Sequence, residues 1–302
     1  MSGIGTGLML RITATVIALG SLACGTRAND AANAGDSLRT TSTTTVATLY
    51  DSATYPSGPE GESARRGFAI LATTRDSLPG YVGNSLRCFS CHIDNGRRPN
   101  GIPLTGSYAR YPNYTTRDGR VITIQDRVNN CMRRSMAGRN IPSDSKEMND
   151  IVTYLALVSR GVAVGSHVSG EGLPKMPEMS GDTSRGASIF TARCARCHGA
   201  DGQGIPPATP LWGPRSYSIA ASLARVERAA SFIRHNMPFD SAGILSDQQA
   251  YDVAAFVVSH ARRDSHGKEL DWPMGDAPPD VPYDTRGHNA FNPPRRLLPA
   301  AF

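Results

Sequence analysis

A mainly α-helical chain built from two similar units is predicted by three observations. The stretch Cys88-Phe89-Ser90-Cys91-His92 recurs as Cys194-Ala195-Arg196-Cys197-His198. From each histidine, 39 residues lead to a soft donor, Cys131 in the first case and Met237 in the second. Apolar positions at helical spacing flank both motifs. Two thiols three positions apart can bond to the two vinyl groups of a haem, and the adjacent histidine supplies an axial ligand to its iron. A single such motif can also belong to a zinc site, but two with equidistant soft donors point to a duplicated haem-binding unit. The fold predicted is therefore two class I cytochrome c-like haem domains joined by a linker, with two covalently attached c-type haems.

A chain of 302 residues is long enough for two modest domains, and its 39% hydrophobic content is low for a large core unless haem supplies the missing apolar bulk. Four of the six cysteines are consumed by haem attachment and Cys131 by an iron, which leaves only Cys24. No disulfide is expected in the mature domains. Attachment of c-type haem to an exported chain still indicates an oxidising, extracytoplasmic compartment. The formal charge of +6 is offset by the haem propionates, and no basic run is interleaved with aromatics, which excludes nucleic acid as a partner. A locally positive mouth that attracts anions is compatible with the balance.

Residues 1–23 read as an export signal: Arg11 precedes the apolar stretch Ile12 to Ala23, which is too short and too rich in small residues to span a membrane. Ala32-Asn33-Ala34 suits an ordinary signal peptidase, whereas Leu22-Ala23-Cys24-Gly25 resembles a lipid-attachment site. Periplasmic or other extracytoplasmic placement is expected, with membrane contact only through a lipid on Cys24. Residues 24–60 are rich in Thr, Ser, Ala, Asp and Gly and read as a flexible segment, Thr41 to Leu49 being a candidate short strand.

The first haem domain is placed at 61–160. Glu62 to Leu71 supports its first helix, with Gly67 and Phe68 suited to close packing. After the haem motif, Gly96, Pro99, Gly101, Pro103 and Gly106 punctuate a loop that can wrap the porphyrin edge, beside which Tyr108, Tyr111 and Tyr114 are candidates for packing. Thr123 and Asp126 form a capping-box pattern that starts a helix running to Arg134. Arg127 and Cys131 then lie four apart on one face. An arginine there can stabilise a thiolate or receive an anion beside it; the alternative for Cys131 is a buried thiol, and for Arg133 and Arg134 a solvated face. Asp144 with Glu147 caps the closing helix, whose stripe is Met148, Ile151, Val152, Leu155 and Val158.

Residues 161–181 are glycine- and proline-bearing and form the linker, in which His167, Met176 and Met179 are weaker ligand candidates. The second haem domain is placed at 182–265. Asp182 or Thr183 opens its first helix, which carries Gly186 and Phe190. Gly199, Gly202 and Gly204 turn the chain around the ring, and Ser222 to Arg234 reads as a helix that delivers the chain to Met237. Pro238 prevents its continuation. Ser246 with Gln249 begins the closing helix, which ends near His260. Prolines 273, 278, 279, 282, 293 and 294 argue for an extended C-terminal arm over 266–302, pinned by Trp272.

Thiolate ligation disfavours reduction of an iron and methionine favours it, so electrons are expected to run downhill from the first haem, held by His92 and Cys131, to the second, held by His198 and Met237. Such a pair can accept the two electrons released when two sulfur anions are joined.

The stretches CFSCHIDNGRRPNGIPL, YARYPNYTTRDG, DRVNNCMRRSMAG, CARCHGADGQG, PLWGPRSYS and FIRHNMP span residues 87–238, and in them the chain resembles the dihaem thiosulfate dehydrogenase (TsdA) family, of cytochrome c type. The resemblance implies oxidation of two thiosulfates to tetrathionate, with electrons passed to a soluble or membrane-associated acceptor such as a cytochrome or another redox protein. It implies that Cys131 is the distal ligand of the catalytic haem and forms a covalent adduct with a thiosulfate sulfur, which a second thiosulfate displaces. It also implies that Arg117 and Arg127 hold the sulfonates and that Ser135 adds a contact. Some members place lysine before the distal methionine and exchange the two as ligands. Here that residue is Asn236, a poor ligand, so Met237 is expected to hold iron throughout and oxidation to be favoured. The competing readings are a tetrathionate reductase running the reaction in reverse, a non-catalytic dihaem electron carrier, and a SoxA-like sulfur transferase that needs a partner protein.

Overall fold

The structure is a computed structural model that describes residues 55–286. The export signal, Cys24, the candidate strand Thr41 to Leu49 and the end of the C-terminal arm lie outside the described residues. Among the described residues no helix is long and apolar enough to cross a membrane.

Helix α1 (Pro59–Ala72) begins with proline in its first turn beside Glu60 and Glu62, which suit the positive end of the helix dipole. The chain then makes a turn at Cys88–Ser90, a glycine-rich loop and a hairpin of β1 (Asn113–Thr115) and β2 (Arg120–Ile122), antiparallel with Asn113 opposite Ile122. Helix α2 (Ile124–Arg134) starts at the expected Thr123–Asp126 capping box. Helix α3 (Lys146–Leu157) is capped by Ser145, whose hydroxyl accepts from the Met148 amide, and not by Asp144 one residue earlier.

The second unit repeats the plan. Helix α4 (Thr183–Arg193) is capped by Asp182. The expected helix from Ser222 to Arg234 is interrupted: a 3-10 turn at Ser222–Ala224 is followed, after an extended Arg225, by α5 (Val226–Asn236). Helix α6 (Asp247–Val258) carries the Ser246–Gln249 capping box. Helices α1 and α3 cross in the first unit, and α4 and α6 in the second.

Both crossings use a glycine to bring two backbones together. A Cβ at Gly67 would lie 2.0 Å from the Asp150 carbonyl oxygen, and one at Gly186 would lie 2.0 Å from that of Asp252. The preceding arginine then clamps the same aspartate. Arg66 Nε and Nη2 donate to Asp150 at 2.8 and 2.8 Å, and Arg185 Nε and Nη2 donate to Asp252 at 2.8 and 2.9 Å. Gly186 is thus the counterpart of Gly67, and Arg185 that of Arg66.

The two units share a core. The cluster of Ile70, Leu71, Phe89, Met132, Met148 and Tyr154 continues into Tyr217, Leu223 and Phe232 of the second unit. Met148 is fully buried there, as a core residue. The connecting stretch is bound to both sides: Asn100 N donates to Gly170 O, Ser231 Oγ to Pro174 O and Tyr251 Oη to Pro177 O. Met176 is packed among Ala229, Ala230 and Tyr251, and His167 pairs with Glu171.

The described part of the C-terminal arm folds back instead of extending. Trp272 is buried with Ala220 and Tyr283, and its amide donates to Arg117 O at 2.8 Å. The apolar ring outweighs the extended preference of the prolines around it.

Candidate active site

The 3-10 turn at Cys88–Ser90 closes with Cys91 N and His92 N both donating to Cys88 O, so both thiols and the histidine leave the chain within one turn. Thr74 fixes the first thiol, its hydroxyl accepting from Cys88 N at 2.9 Å and donating to Sγ at 3.3 Å. His92 Nδ1 lies 2.6 Å from Ile102 O, and His198 Nδ1 lies 2.9 Å from Thr209 O. A carbonyl only accepts, so in each ring Nδ1 carries the proton; Nε2 of His198 keeps its lone pair for a metal, and His92 also bonds the Cys131 sulfur. Ile102 meets His92 from a left-handed backbone, φ 55°. These carbonyls were missed in the sequence because backbone acceptors have no residue signature; the one available cue is a proline shortly after each motif.

Cys131 sits near the middle of α2, one helical turn after Arg127, whose Nη1 donates to its sulfur at 3.0 Å. Burial alone would push the thiol up, but the charge of Arg127 and a side-chain hydrogen bond with His92 bring it down to about 6. The attachment thiols differ sharply. Burial holds Cys88 up at about 11 and Cys91 at about 12, and Cys194 at about 11. Arg127 is itself held charged, chiefly by Cys131. Tyr111 adjoins this pair, its phenol pushed up by burial and drawn partly back by Arg127. Tyr108 and Tyr114 are about half exposed.

The structure therefore brings His92, Cys131 and Arg127 together. Ser135 follows at the C-cap of α2, its amide donating to Cys131 O at 2.8 Å and its carbonyl accepting from Asn84 Nδ2 at 2.8 Å. Arg117 lies in the β1–β2 turn with its Nε and Nη2 committed to Asp271 at 3.0 and 2.7 Å. Nη2 also reaches Tyr283 Oη at 2.6 Å, and the guanidinium covers Trp272 at 4.6 Å. Arg134 is not solvated: its side chain is 12% exposed and meets Asp118 and Asp271. Asp271 organises two arginines from a segment that sequence reasoning treated as an arm.

A cavity of about 620 Å³ occupies the second unit, lined by Cys194, Cys197, His198 and Met237 among apolar side chains such as Phe190 and Leu223. Its size is that of a cofactor site, and its facing donors, an imidazole and a thioether, suit a haem iron. Leu86, Phe89, Cys91 and Ile93 of the first unit form another wall of the same cavity. One of the first pair of attachment thiols thus borders the second haem site. Met237 follows the last residue of α5. Asn236 before it is fully buried and donates to Asn100 O at 2.8 Å and Phe232 O at 3.1 Å.

Comparison with known proteins agrees with this duplicated architecture. Residues 81–164 match the family described as SoxA/TsdA, cytochrome c domain, and residues 183–261 match cytochrome c. The chain is 40% identical over 230 residues to a thiosulfate dehydrogenase of Allochromatium vinosum, covering 72% of this chain and 85% of that one. The chain belongs to the thiosulfate dehydrogenase family. A second relative, the thiosulfate dehydrogenase of Psychrobacter arcticus, is 38% identical, covering 77% of this chain and 73% of its own. Among solved structures, the thiosulfate dehydrogenase TsdBA of Marichromatium purpuratum matches with a TM-score of 0.68 and 34% identity over 75% of this chain. The chain spans about half of that longer protein, 51% of its length. Like its family, this dehydrogenase homologue is mainly helical, has two cytochrome c domains and carries two c-type haems.

Proposed function

We propose that the protein oxidises thiosulfate to tetrathionate at Cys131, with His92 and Cys131 holding the first haem and His198 and Met237 the second. The observation that carries this reading is the Arg127–Cys131 contact at 3.0 Å, with His92 beside the same sulfur. A partly buried guanidinium against a partly buried sulfur stabilises the thiolate and presents positive charge where a dianion must approach.

Bound haem supplies one-electron acceptance, and the two haems together have capacity for the two electrons of the reaction. The chain's own residues do the rest. The Cys131 thiolate and the terminal sulfur of one thiosulfate become joined as a Cys–S–S–sulfonate, with loss of two electrons. A second thiosulfate attacks the middle sulfur, the bond to Cys131 breaks, and tetrathionate leaves with the thiolate regenerated. Arg127 offsets the repulsion between two dianions brought to one sulfur. Ser135, one turn beyond Cys131, adds a hydroxyl. Arg117, expected on a sulfonate, has its Nε and Nη2 held by Asp271 and takes no substrate contact in this reading.

The relatives named thiosulfate dehydrogenase support thiosulfate as the substrate. Oxidation is the favoured direction, because Asn236 is bound to Asn100 and Phe232 and leaves Met237 as the ligand in both oxidation states. The acceptor is a redox protein, soluble or membrane-associated, and the protein works outside the cytoplasm, a reading supported by the export-signal pattern of residues 1–23 and by the chemistry of c-type haem attachment.

Purified haem-loaded protein mixed with thiosulfate and an artificial one-electron acceptor is expected to form one tetrathionate per two electrons accepted. Prompt electron exchange with other donors but no tetrathionate would leave only an electron carrier. A second reading has one observation in its favour: SoxA of Hydrogenobacter thermophilus, named an L-cysteine S-thiosulfotransferase subunit, is 30% identical over 135 residues. Turnover of free thiosulfate with no carrier protein present separates the two.

A further inference from the structure

We infer that Arg262 is the buried counter-charge of the second haem and raises that haem's reduction potential. Its charge environment differs from that of the partly buried arginines of the molecule. Arg117 and Arg134 meet Asp271, Arg225 meets Asp280, and Arg127 meets the Cys131 sulfur. Arg262 is 2% exposed and has no carboxylate within 4.0 Å among the described residues. Its Nη1 and Nη2 donate to the carbonyls of Leu211 and Val257 at 2.7 and 2.9 Å, and its guanidinium stacks over Tyr217 at 4.1 Å. Its Nε–H is buried with no partner among the described residues.

A buried cation with only neutral partners costs several kcal/mol unless an anion approaches it. The three residues that hold Arg262 say where that anion is. Leu211, Val257 and Tyr217 all line the second cavity, the one that holds His198 and Met237. A c-type haem bound there brings two propionate carboxylates, anions that the protein chain itself does not provide at this place. The guanidinium compensates them and adds positive potential at the iron, which favours the ferrous state over the ferric. Arg262 is fixed for this purpose by the chain on both sides: it pairs in a bridge with Gly213, and the His260 ring two residues earlier stacks on Trp212 at 3.9 Å. The inference rests on haem at the second cavity and is independent of what is oxidised at Cys131.

The test is a spectroscopically monitored redox titration of the haem-loaded protein and of three variants, Arg262→Lys, Arg262→Gln and Arg262→Met, with haem content measured for each. Both neutral variants are expected to shift the second haem to a reduced-to-oxidised ratio at least tenfold lower at a fixed solution potential, about 59 mV for one electron. Arg262→Lys is expected to restore most of the shift, because it keeps the charge and loses the planar fork. Unchanged midpoints in the neutral variants overturn the inference, as does a lysine variant that shifts as far as glutamine, since either makes the residue a packing element. If neither neutral variant retains haem, lysine decides: haem retained with lysine supports a required charge, and haem lost with lysine overturns it.

Discussion

The two haem units of this molecule have the same frame and different chemistry. In each, a glycine in the first helix lets it press against the closing helix, and an adjacent arginine grips an aspartate there with near-identical bond lengths. In each, the CxxCH histidine hands its Nδ1 proton to a carbonyl. The distal side is where they part. Cys131 lies inside a helix, one turn from a partly buried arginine, whereas Met237 lies just past a helix end beside an asparagine that ties the second unit to the first. Thus 39 residues of equal spacing deliver two unlike settings: a charged one around the Cys131 sulfur, and an apolar one around the Met237 sulfur. The duplicated scaffold sets geometry, and the distal helix sets function.

Converting one setting into the other gives the largest expected effect. Cys131→Met makes the first distal position resemble the second. Tetrathionate formation is expected to fall to background, because a thioether cannot form the sulfur adduct, while the first haem's midpoint rises toward that of the second. Steady-state assay with redox titration reads both. Retained turnover would show that the sulfur of Cys131 is not the nucleophile. Arg127→Leu is the milder version: a loss of about 10²- to 10³-fold in kcat/KM is expected, the range for removing one preorganised charge from developing negative charge.

The shared frame is tested by glycine. Gly67→Ala and Gly186→Ala each place a methyl 2.0 Å from a carbonyl oxygen, too close to be absorbed by a side chain. Both are expected to lower stability by about 3 kcal/mol, the upper end for overpacking, measured by denaturant titration of the holoprotein. A much smaller effect at one glycine would show that its crossing is looser than its counterpart.

Much of this comparison is legible in the sequence, for reasons that can be located. The paired CxxCH motifs, the Thr123–Asp126 and Ser246–Gln249 boxes and the Arg127–Cys131 spacing are local patterns, and local patterns fix helices and their faces. What escaped is either a weak local signal or a non-local contact. The β1–β2 hairpin is short and polar and follows no long alternation. Ser145 outcompetes Asp144 as a cap because its hydroxyl reaches the Met148 amide, a choice of one residue that composition cannot rank. The commitment of Arg117 to Asp271 spans 154 positions and depends on an arm whose prolines suggest extension. The equivalence of Gly67 and Gly186 is visible only once the aspartates they touch are known.

The arginine clamps predict a shared response to acid. Two basic partners and the Ser63 hydroxyl hold the Asp150 carboxyl at about 2 against the desolvation that opposes them, and Asp252 is likewise lowered, first by Arg185. A carboxylate with a folded value below its unfolded one contributes stability that is present above the unfolded value and is lost as pH falls through the folded one. The Asp150 clamp therefore weakens from about pH 4 toward pH 2, and the Asp252 clamp weakens in the same direction as pH falls. With Arg66 and Arg185 half exposed, solvent screens both pairs. Asp150→Asn and Asp252→Asn are expected to lower stability at neutral pH and to flatten the stability profile in acid. An acid midpoint unmoved in both variants would assign the acid sensitivity elsewhere.

The smallest effect compares the caps of the two closing helices. Ser145 and Ser246 each accept from the amide three residues on, both at 3.2 Å, but only Ser246 is answered by a side chain, Gln249 Oε1 accepting from its amide at 2.9 Å. Alanine at either serine is expected to cost about 1 kcal/mol. The second loss should be the larger by a few tenths, because a reciprocal box satisfies two orphan donors where a single cap satisfies one. Gln249→Ala added to Ser246→Ala should then cost less than the two single changes together, the signature of groups that share one structure. Strict additivity would mean that the box is two independent bonds and that the closing helices are anchored alike.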